Sequence, residues 1–111
     1  MSDILFRLEA LIAGRKAALA ADPSLAETSY VARQLAKGRL RLARKLGEEA
    51  TETVIAALAE SDEALAGEAA DLLFHLLLLL ADREISLAQV LAILEQREGI
   101  SGIEERKGRK A

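Results

Sequence analysis

Residues 67–82 read GEAADLLFHLLLLLAD, and this stretch decides the fold. Its apolar residues run nearly all round a helix, as expected for the centre of a helical bundle. The longest apolar run, Leu72 to Ala81, is interrupted by His75 and has about half the length needed to span a bilayer. The stretch therefore predicts a buried core helix, from about Glu63 to Arg83, in a protein that does not enter a membrane.

The rest of the sequence favours helices as well. Apolar residues make up 51% of the chain and there is only one Pro, while the abundant Ala, Leu, Glu and Arg are strong helix formers. Periodicity, caps and breaks predict a helix over about 3–21, a loop over 23–28 and a short helix from Ser29 to Lys37 that stops at Gly38. A helix over 39–60 should bury Leu42, Leu46, Val54, Ala57 and Leu58, and Ser61 with Asp62 offers a break and a cap before the next helix. The last helix is capped by Ser86 with Gln89 and ends before Gly99. The predicted fold class is all-α, a bundle of about five helices.

Length, charge and cysteine content limit the classes of function. At 111 residues the chain is one domain, which we place at residues 1–99, followed by a mobile basic tail over residues 100–111. A net charge of -3 gives no indication of nucleic-acid binding. The absence of Cys excludes disulfides, thiolate zinc sites and a cysteine nucleophile, and with no signal peptide at the N-terminus it predicts a cytoplasmic protein.

Five acidic residues form two short clusters on neighbouring predicted helices. Glu48, Glu49 and Glu52 lie within about a 100° arc of one helix, and Glu68 and Asp71 are three residues apart on the next. The second pair sits among apolar residues, where a carboxylate is costly unless it has a partner. If the two helices pack antiparallel, four or five oxygen ligands surround one space, which suits Mg²⁺ or Mn²⁺.

Two alternatives to a metal site stay open for these acids. The first cluster is also compatible with a solvated helix face that pairs of Arg44 with Glu48 and of Lys45 with Glu49 would neutralise. The whole set is compatible with a buried acid network that is paired to Arg41, Arg44 or Lys45.

His75 belongs to the same pattern, because it follows Asp71 by four residues and so lies on the same helix face. One interpretation makes it a partner of the metal site or a proton shuttle. The other makes it a hydrogen-bonded core residue, as a lone histidine in an apolar helix commonly is. The sequence leaves both interpretations open.

The acidic motifs occur in a fixed order with other short motifs. The strings are Ser29-Tyr30, Leu35-Ala36-Lys37-Gly38, Lys45 before Gly47-Glu48-Glu49-Ala50-Thr51-Glu52, and Glu68-Ala69-Ala70-Asp71. The last two resemble the EExxE and ExxD pattern of the MazG-like, all-α nucleotide pyrophosphohydrolases. The full ordered set resembles more narrowly the phosphoribosyl-ATP pyrophosphatase family of histidine biosynthesis, over nearly the whole chain. EExxE alone is weak evidence, whereas the ordered set with matching gaps is specific.

That resemblance implies Mg²⁺-dependent hydrolysis of phosphoribosyl-ATP to phosphoribosyl-AMP and pyrophosphate by a homodimer, and the many leucines on so short a chain also favour pairing. By position, the implied metal ligands are Glu49, Glu52, Glu68 and Asp71. The implied catalytic residues are Glu48, Glu49 and Glu52, with Glu48 either a further ligand or the residue that orients the attacking water. The implied substrate-binding residues are Ser29, Tyr30, Lys37, Arg41, Arg44 and Lys45.

Several residues and the function itself keep an alternative. Ser29 is also a plausible helix cap, and Tyr30 a residue at the edge of the core. A house-cleaning hydrolase of nucleoside triphosphates would use the same acidic chemistry on another substrate, although the segment from Ser29 to Gly38 argues against it. A non-catalytic helical binding module would use its acids only to pair with its arginines.

Overall fold

The computed structural model describes residues 2–98 and confirms the all-α prediction. Within these residues the helices are α1 Ile4–Ala21, a 3-10 helix Pro23–Glu27, α2 Tyr30–Ala36, α3 Arg39–Ala59, α4 Asp62–Asp82 and α5 Leu87–Arg97. The predicted loop over residues 23–28 was wrong, because Pro23 begins a 3-10 helix whose first turn is capped by the Asp22 side chain. The predicted basic tail over residues 100–111 lies outside the described residues.

Serine side chains fix the beginnings of three helices, as the sequence predicts. Ser29 Oγ accepts a hydrogen bond from the Ala32 N–H at 3.2 Å, and Ser61 Oγ accepts one from the Ala64 N–H at 3.1 Å. Ser86 forms a complete capping box, in which the Gln89 side chain accepts from the Ser86 N–H at 2.8 Å. Each cap satisfies backbone donors that the helix itself leaves without acceptors.

The turn between α2 and α3 consists of Lys37 and Gly38. Gly38 has φ of 92°, a value that side chains with a Cβ rarely adopt. Just after it, the Arg39 guanidinium donates to the Asp82 carboxylate at 2.6 Å and so ties the start of α3 to the end of α4. The turn therefore brings Lys37 close to Arg41 and Arg44 in the first two turns of α3.

The core lies where α1, α2 and α5 meet the start of α3 and the end of α4. Ile12, Leu42 and Leu78 are its largest fully buried side chains. Val31, Leu35, Leu77 and Leu87 complete the buried cluster. Burial of this apolar surface is the main stabilising contribution to the fold.

Away from this core, α3 and α4 pack mainly on each other, in the most extensive helix pair of the described residues. We call residues 50–70 the α3–α4 arm. Three residues that were expected to be buried are exposed there: Val54 at 57%, Leu58 at 83% and also Ala57. The prediction that α4 is buried all round was also wrong, because its buried residues are His75, Leu77 and Leu78 only.

One described helix, α4, is long and apolar enough by length and composition to span a membrane. The run from Leu72 to Ala81 is too short for this, whereas the complete helix has 21 residues. The core helix of a soluble protein passes the same test, so this is weak evidence, and the expectation that the protein does not enter a membrane stays a prediction. The cytoplasmic location likewise stays a prediction.

Candidate functional site

Three carboxylates converge where α3 and α4 face each other. Glu49 on α3 and Glu68 and Asp71 on α4 each contribute one oxygen atom, and these three atoms all lie within 4.8 Å of one another. We call these residues the acidic cluster. The antiparallel pairing of α3 and α4 through the short turn at Ser61 brings them to the same height, as expected from the sequence.

Two oxygen atoms of the acidic cluster lack the donors that buried carboxylates need. Glu49 Oε2 and Glu68 Oε2 are buried and have no hydrogen-bond partner among the described residues. The hydroxyl of Thr53 donates to the backbone carbonyls of Glu49 at 2.8 Å and Glu68 at 3.3 Å and not to these carboxylates. Buried carboxylate oxygens without donors are unfavourable, and an all-oxygen set of this kind fits Mg²⁺ or Mn²⁺.

Glu52 lies beside the acidic cluster but outside the group of three oxygens. Its side chain is exposed. The Glu49 carboxyl raises the pKa of Glu52 above the ordinary value of 4.5, first through a hydrogen bond that the two carboxyls share when one is protonated and then through its charge; Glu68 adds to the effect. When the carboxyls of Glu49 and Glu52 are both ionised, no proton links them and their negative charges repel each other.

Lys45 is the one base that pairs with the acidic cluster among the described residues. Its ammonium lies 3.2 Å from Glu49 Oε1, and the hydrogen bond to Glu49 raises the pKa of Lys45. The expected pair of Arg44 with Glu48 does not form within 4 Å, and neither Arg41 nor Arg44 makes an ion pair with any described residue. Within the described residues the acidic cluster is therefore paired with a base at Glu49 Oε1 alone, and Glu49 Oε2 and Glu68 Oε2 remain without a partner.

A cleft of about 490 Å³ opens beside the acidic cluster. We call it the cationic cleft; its lining residues are Tyr30, Gln34, Lys37, Arg41, Arg44, Lys45 and Glu48. Glu48 and Arg44 also border a shallower depression that reaches Glu52. Four basic side chains against one acid make the cleft suitable for a polyanion, since guanidinium groups bind phosphate oxygens in a planar fork.

The cleft brings together five of the six residues that were expected to bind substrate. Ser29 does not line it, and its hydroxyl is the cap of α2, so the capping interpretation is confirmed and a role in binding stays a prediction. Sequence reasoning missed Gln34, which lines the cleft although it is buried. Its spacing of four residues from Tyr30 and three from Lys37 puts all three on one face of α2 and was the available signal.

His75 is a hydrogen-bonded core residue, in agreement with one of the two interpretations of the sequence. Its side chain is 5% exposed, and Nδ1 lies 2.8 Å from the backbone oxygen of Asp71. Its Nε2 lies 3.4 Å from the hydroxyl of Tyr30, a residue of the cationic cleft. The ring thus reaches from the backbone of the acidic cluster to the wall of the cleft.

Comparison with known proteins agrees with this geometry. A family model described as phosphoribosyl-ATP pyrophosphohydrolase matches residues 7–98. A protein of Erythrobacter litoralis named phosphoribosyl-ATP pyrophosphatase is 60% identical over 105 residues, which cover 95% of each chain. Proteins of the same name are 54% identical in Rhizorhabdus wittichii, over 98% of this chain and 97% of theirs, and 54% identical in Novosphingobium aromaticivorans, over 96% and 94%. Because the matched segment contains both the acidic cluster and the cationic cleft, the resemblance seen in the motifs is confirmed, and the chain belongs to the phosphoribosyl-ATP pyrophosphohydrolase family.

Proposed function

We propose that this chain hydrolyses phosphoribosyl-ATP to phosphoribosyl-AMP and pyrophosphate in histidine biosynthesis. The observation that carries the proposal is the acidic cluster directly beside the cationic cleft, joined to it through Lys45, on a chain of this family. A triphosphate needs positive groups along its length and a divalent cation at the bond that breaks. The two neighbouring sites supply the first and can hold the second.

The acidic cluster is the proposed Mg²⁺ site. Glu49, Glu68 and Asp71 are its ligands, with Glu52 as the fourth carboxylate at the edge. The cation would replace the missing donors at the two buried oxygen atoms of Glu49 and Glu68. When bound, Mg²⁺ supplies neutralisation of phosphate charge and a lower pKa for a coordinated water.

The residues of the cationic cleft hold the substrate. Lys37, Arg41 and Arg44 bind phosphate oxygens, and none of the three has a competing ion pair with a described residue. Lys45 holds Glu49 in place at 3.2 Å and presents its remaining N–H donors to the cleft. The basic side chains of the cationic cleft thus bind the negatively charged triphosphate, while the carboxylates of the acidic cluster bind the metal.

The reaction requires a water molecule to be oriented and deprotonated. Glu48 borders the cleft next to Arg44 and orients the attacking water. The water oxygen forms a bond to the α-phosphorus as the bond from that phosphorus to pyrophosphate breaks. The proton passes to a carboxylate oxygen of Glu48 or Glu52, the two exposed acids beside the cluster.

Release of pyrophosphate tests this function directly. The purified protein is given phosphoribosyl-ATP with Mg²⁺ or with EDTA, and ATP and dCTP serve as parallel substrates. Release from phosphoribosyl-ATP that needs Mg²⁺ is expected, lost in Asp71→Asn and retained in the matched control Asp62→Asn at the start of α4. Preferential turnover of dCTP or ATP would place the protein among the house-cleaning hydrolases. Absence of turnover by a folded protein would favour a non-catalytic binding module.

We infer that the active protein is a homodimer that pairs through the α3–α4 arm. Val54, Ile55 and Leu58 lie on the opposite side of α3 from Glu49 and Ala56, and they are 57%, 49% and 83% exposed. An apolar helix face of this kind on a short chain marks an interaction surface. A second copy of the chain offers a matching face, because a two-fold interface pairs one patch with itself.

A further inference from the structure

Tyr30 stands at the start of α2 as the aromatic wall of the cationic cleft. Half of its side chain is exposed, and the ring lines the cleft. Its ring stacks against Phe74 at a centroid distance of 6.1 Å and an interplanar angle of 29°. Its hydroxyl lies 3.4 Å from His75 Nε2. Two neighbouring residues of α4, Phe74 and His75, therefore both contact Tyr30.

The hydrogen bonds of His75 define which nitrogen carries its proton. A backbone carbonyl can only accept, so His75 Nδ1 must donate to the Asp71 oxygen 2.8 Å away. In the neutral ring Nε2 is then an acceptor, and the Tyr30 hydroxyl donates to it. The resulting chain runs from the backbone of the acidic cluster through the imidazole to the phenol in the cleft.

The imidazole itself is held rigidly. His75 is 5% exposed, and its ring meets the edge of Phe74 at a centroid distance of 5.3 Å and an angle of 88°. Leucines occupy most of the surrounding positions on α4. Leucine would fill this position without needing any hydrogen bond, so burial alone gives no reason for a polar ring here. Outside α4, the one contact of His75 among the described residues that a leucine could not make is the hydrogen bond to Tyr30.

We propose that His75 is a positioning residue that fixes Tyr30 as the surface on which the purine ring of the substrate stacks. The inference rests on the proposed function and adds to it the residue that receives the base. Phe74 stacks on the tyrosine ring, and no other aromatic ring of the described residues stacks on it. The exposed half of Tyr30 is thus available to a planar base whose phosphates reach Lys37 and Arg41, and a ring that is fixed beforehand binds with less loss of entropy.

Tyr30 also supplies the measurement, because it is the only tyrosine and the chain has no tryptophan. An excited phenol is a stronger acid than its ground state, so a hydrogen bond to a basic nitrogen quenches tyrosine emission. We expect His75→Leu to emit more strongly than the wild type, with His75→Gln, which retains an acceptor, in between. Tyr30→Phe shows that the emission comes from Tyr30, and circular dichroism shows that each variant is folded.

Kinetics with phosphoribosyl-ATP connect the bond to substrate. Loss of one neutral hydrogen bond that orders Tyr30 is expected to raise KM about fivefold in His75→Leu, with kcat unchanged. Because His75 acts through the tyrosine hydroxyl, Tyr30→Phe should raise KM by a similar factor, and the double variant should be no worse than either single variant. His75→Gln should recover part of the wild-type KM.

Each alternative result contradicts a different part of the inference. Equal emission from the wild type and His75→Leu would show that the bond does not form. Stronger emission from His75→Leu with an unchanged KM, or effects of the two variants that multiply, would show that the bond does not position a substrate residue. Failure of the wild type to hydrolyse phosphoribosyl-ATP would overturn the proposed function, and the substrate role of Tyr30 with it. The emission comparison needs no substrate, so it tests the hydrogen bond between His75 and Tyr30 separately from the proposed function.

Discussion

Replacing Glu68 by Gln is expected to make the metal-free protein more stable and to abolish its response to Mg²⁺. Glu68 is half-buried, has one buried carboxylate oxygen without a donor, and makes no ion pair with a described residue. Gln has nearly the same shape, removes the charge and can donate to the neighbouring Glu49. The substitution therefore removes repulsion without creating a cavity, and it removes a metal ligand.

Charge repulsion sets the size of the effect. One oxygen of Glu68 lies within 4.8 Å of an oxygen of Glu49 and of an oxygen of Asp71. Two unit charges at that separation repel by about 3.5 kcal/mol at an effective dielectric constant of about 20, and by about 0.9 kcal/mol in bulk water. Because Glu68 is half-buried and Asp71 is exposed, we expect a gain of about 1–3 kcal/mol in the free energy of unfolding. For a domain of this size that corresponds to a rise of about 5–15 °C in melting temperature.

Thermal melts followed by circular dichroism provide the assay, at one fixed protein concentration because dimerisation would make the melting temperature depend on it. Wild type and Glu68→Gln are compared in EDTA and in Mg²⁺. The wild type should gain stability from Mg²⁺, whereas the variant should begin higher and gain nothing. Glu63→Gln is the matched control, since Glu63 lies in the first turn of the same helix and outside the acidic cluster. Its response to Mg²⁺ should be that of the wild type, with a loss of at most about 1 kcal/mol from the helix dipole.

A fall in the melting temperature of metal-free Glu68→Gln would refute this reasoning. It would mean that the carboxylate of Glu68 is a stabilising member of an acid network and not a repelled ligand. A variant that still gains stability from Mg²⁺ to the same extent as the wild type would place the cation elsewhere. Either result would count against the acidic cluster as the metal site, whatever the activity of the protein.

Three further predictions concern the acids, the cations and the apolar face. Because Glu49 raises the pKa of Glu52 above 4.5, the folded metal-free protein binds the proton of Glu52 more tightly than the unfolded chain does. The stability of the wild type should therefore fall as the pH rises through the raised pKa of Glu52. Thermal melts in EDTA should show a smaller fall for Glu52→Gln. Arg44→Ala should raise KM for phosphoribosyl-ATP at least about tenfold through a lost charge-assisted hydrogen bond, while Arg15→Ala on the exposed side of α1 leaves KM unchanged, as initial rates will show. Leu58→Lys should convert the dimer to a monomer in sedimentation experiments with the helical content retained, and a dimer of unchanged affinity would exclude this face.

The helix boundaries were predictable because their signals are local. Ser61 and Ser86 cap the backbone a few residues ahead, and Gly38 adopts a positive φ that few other residues tolerate. The exposure of Val54 and Leu58 was not predictable in the same way. Periodicity tells which residues share a helix face, but it does not tell whether this chain or another one covers that face.

Part of the candidate site was likewise predictable from sequence spacing, and part was not. Convergence of Glu49 with Glu68 and Asp71 followed from sequence spacing and one assumption, that two consecutive helices joined by a short turn pack antiparallel. Lys45 pairs with the buried Glu49, whereas Arg44 makes no ion pair with the exposed Glu48, and sequence spacing does not distinguish the two. Spacing treats both pairs alike, since each joins residues four apart.

The two halves of α4 explain why a repulsive site can exist on so small a domain. The carboxylates of Glu68 and Asp71, in the first half of α4, repel the carboxylate of Glu49. Leu77 and Leu78, less than three turns further on, are buried in the core. Burying each of those leucines contributes about 1.5–3 kcal/mol, which is comparable with the repulsion estimated for Glu68. Because a helix transmits position rigidly over this distance, the anchored end holds the acids together although they repel one another.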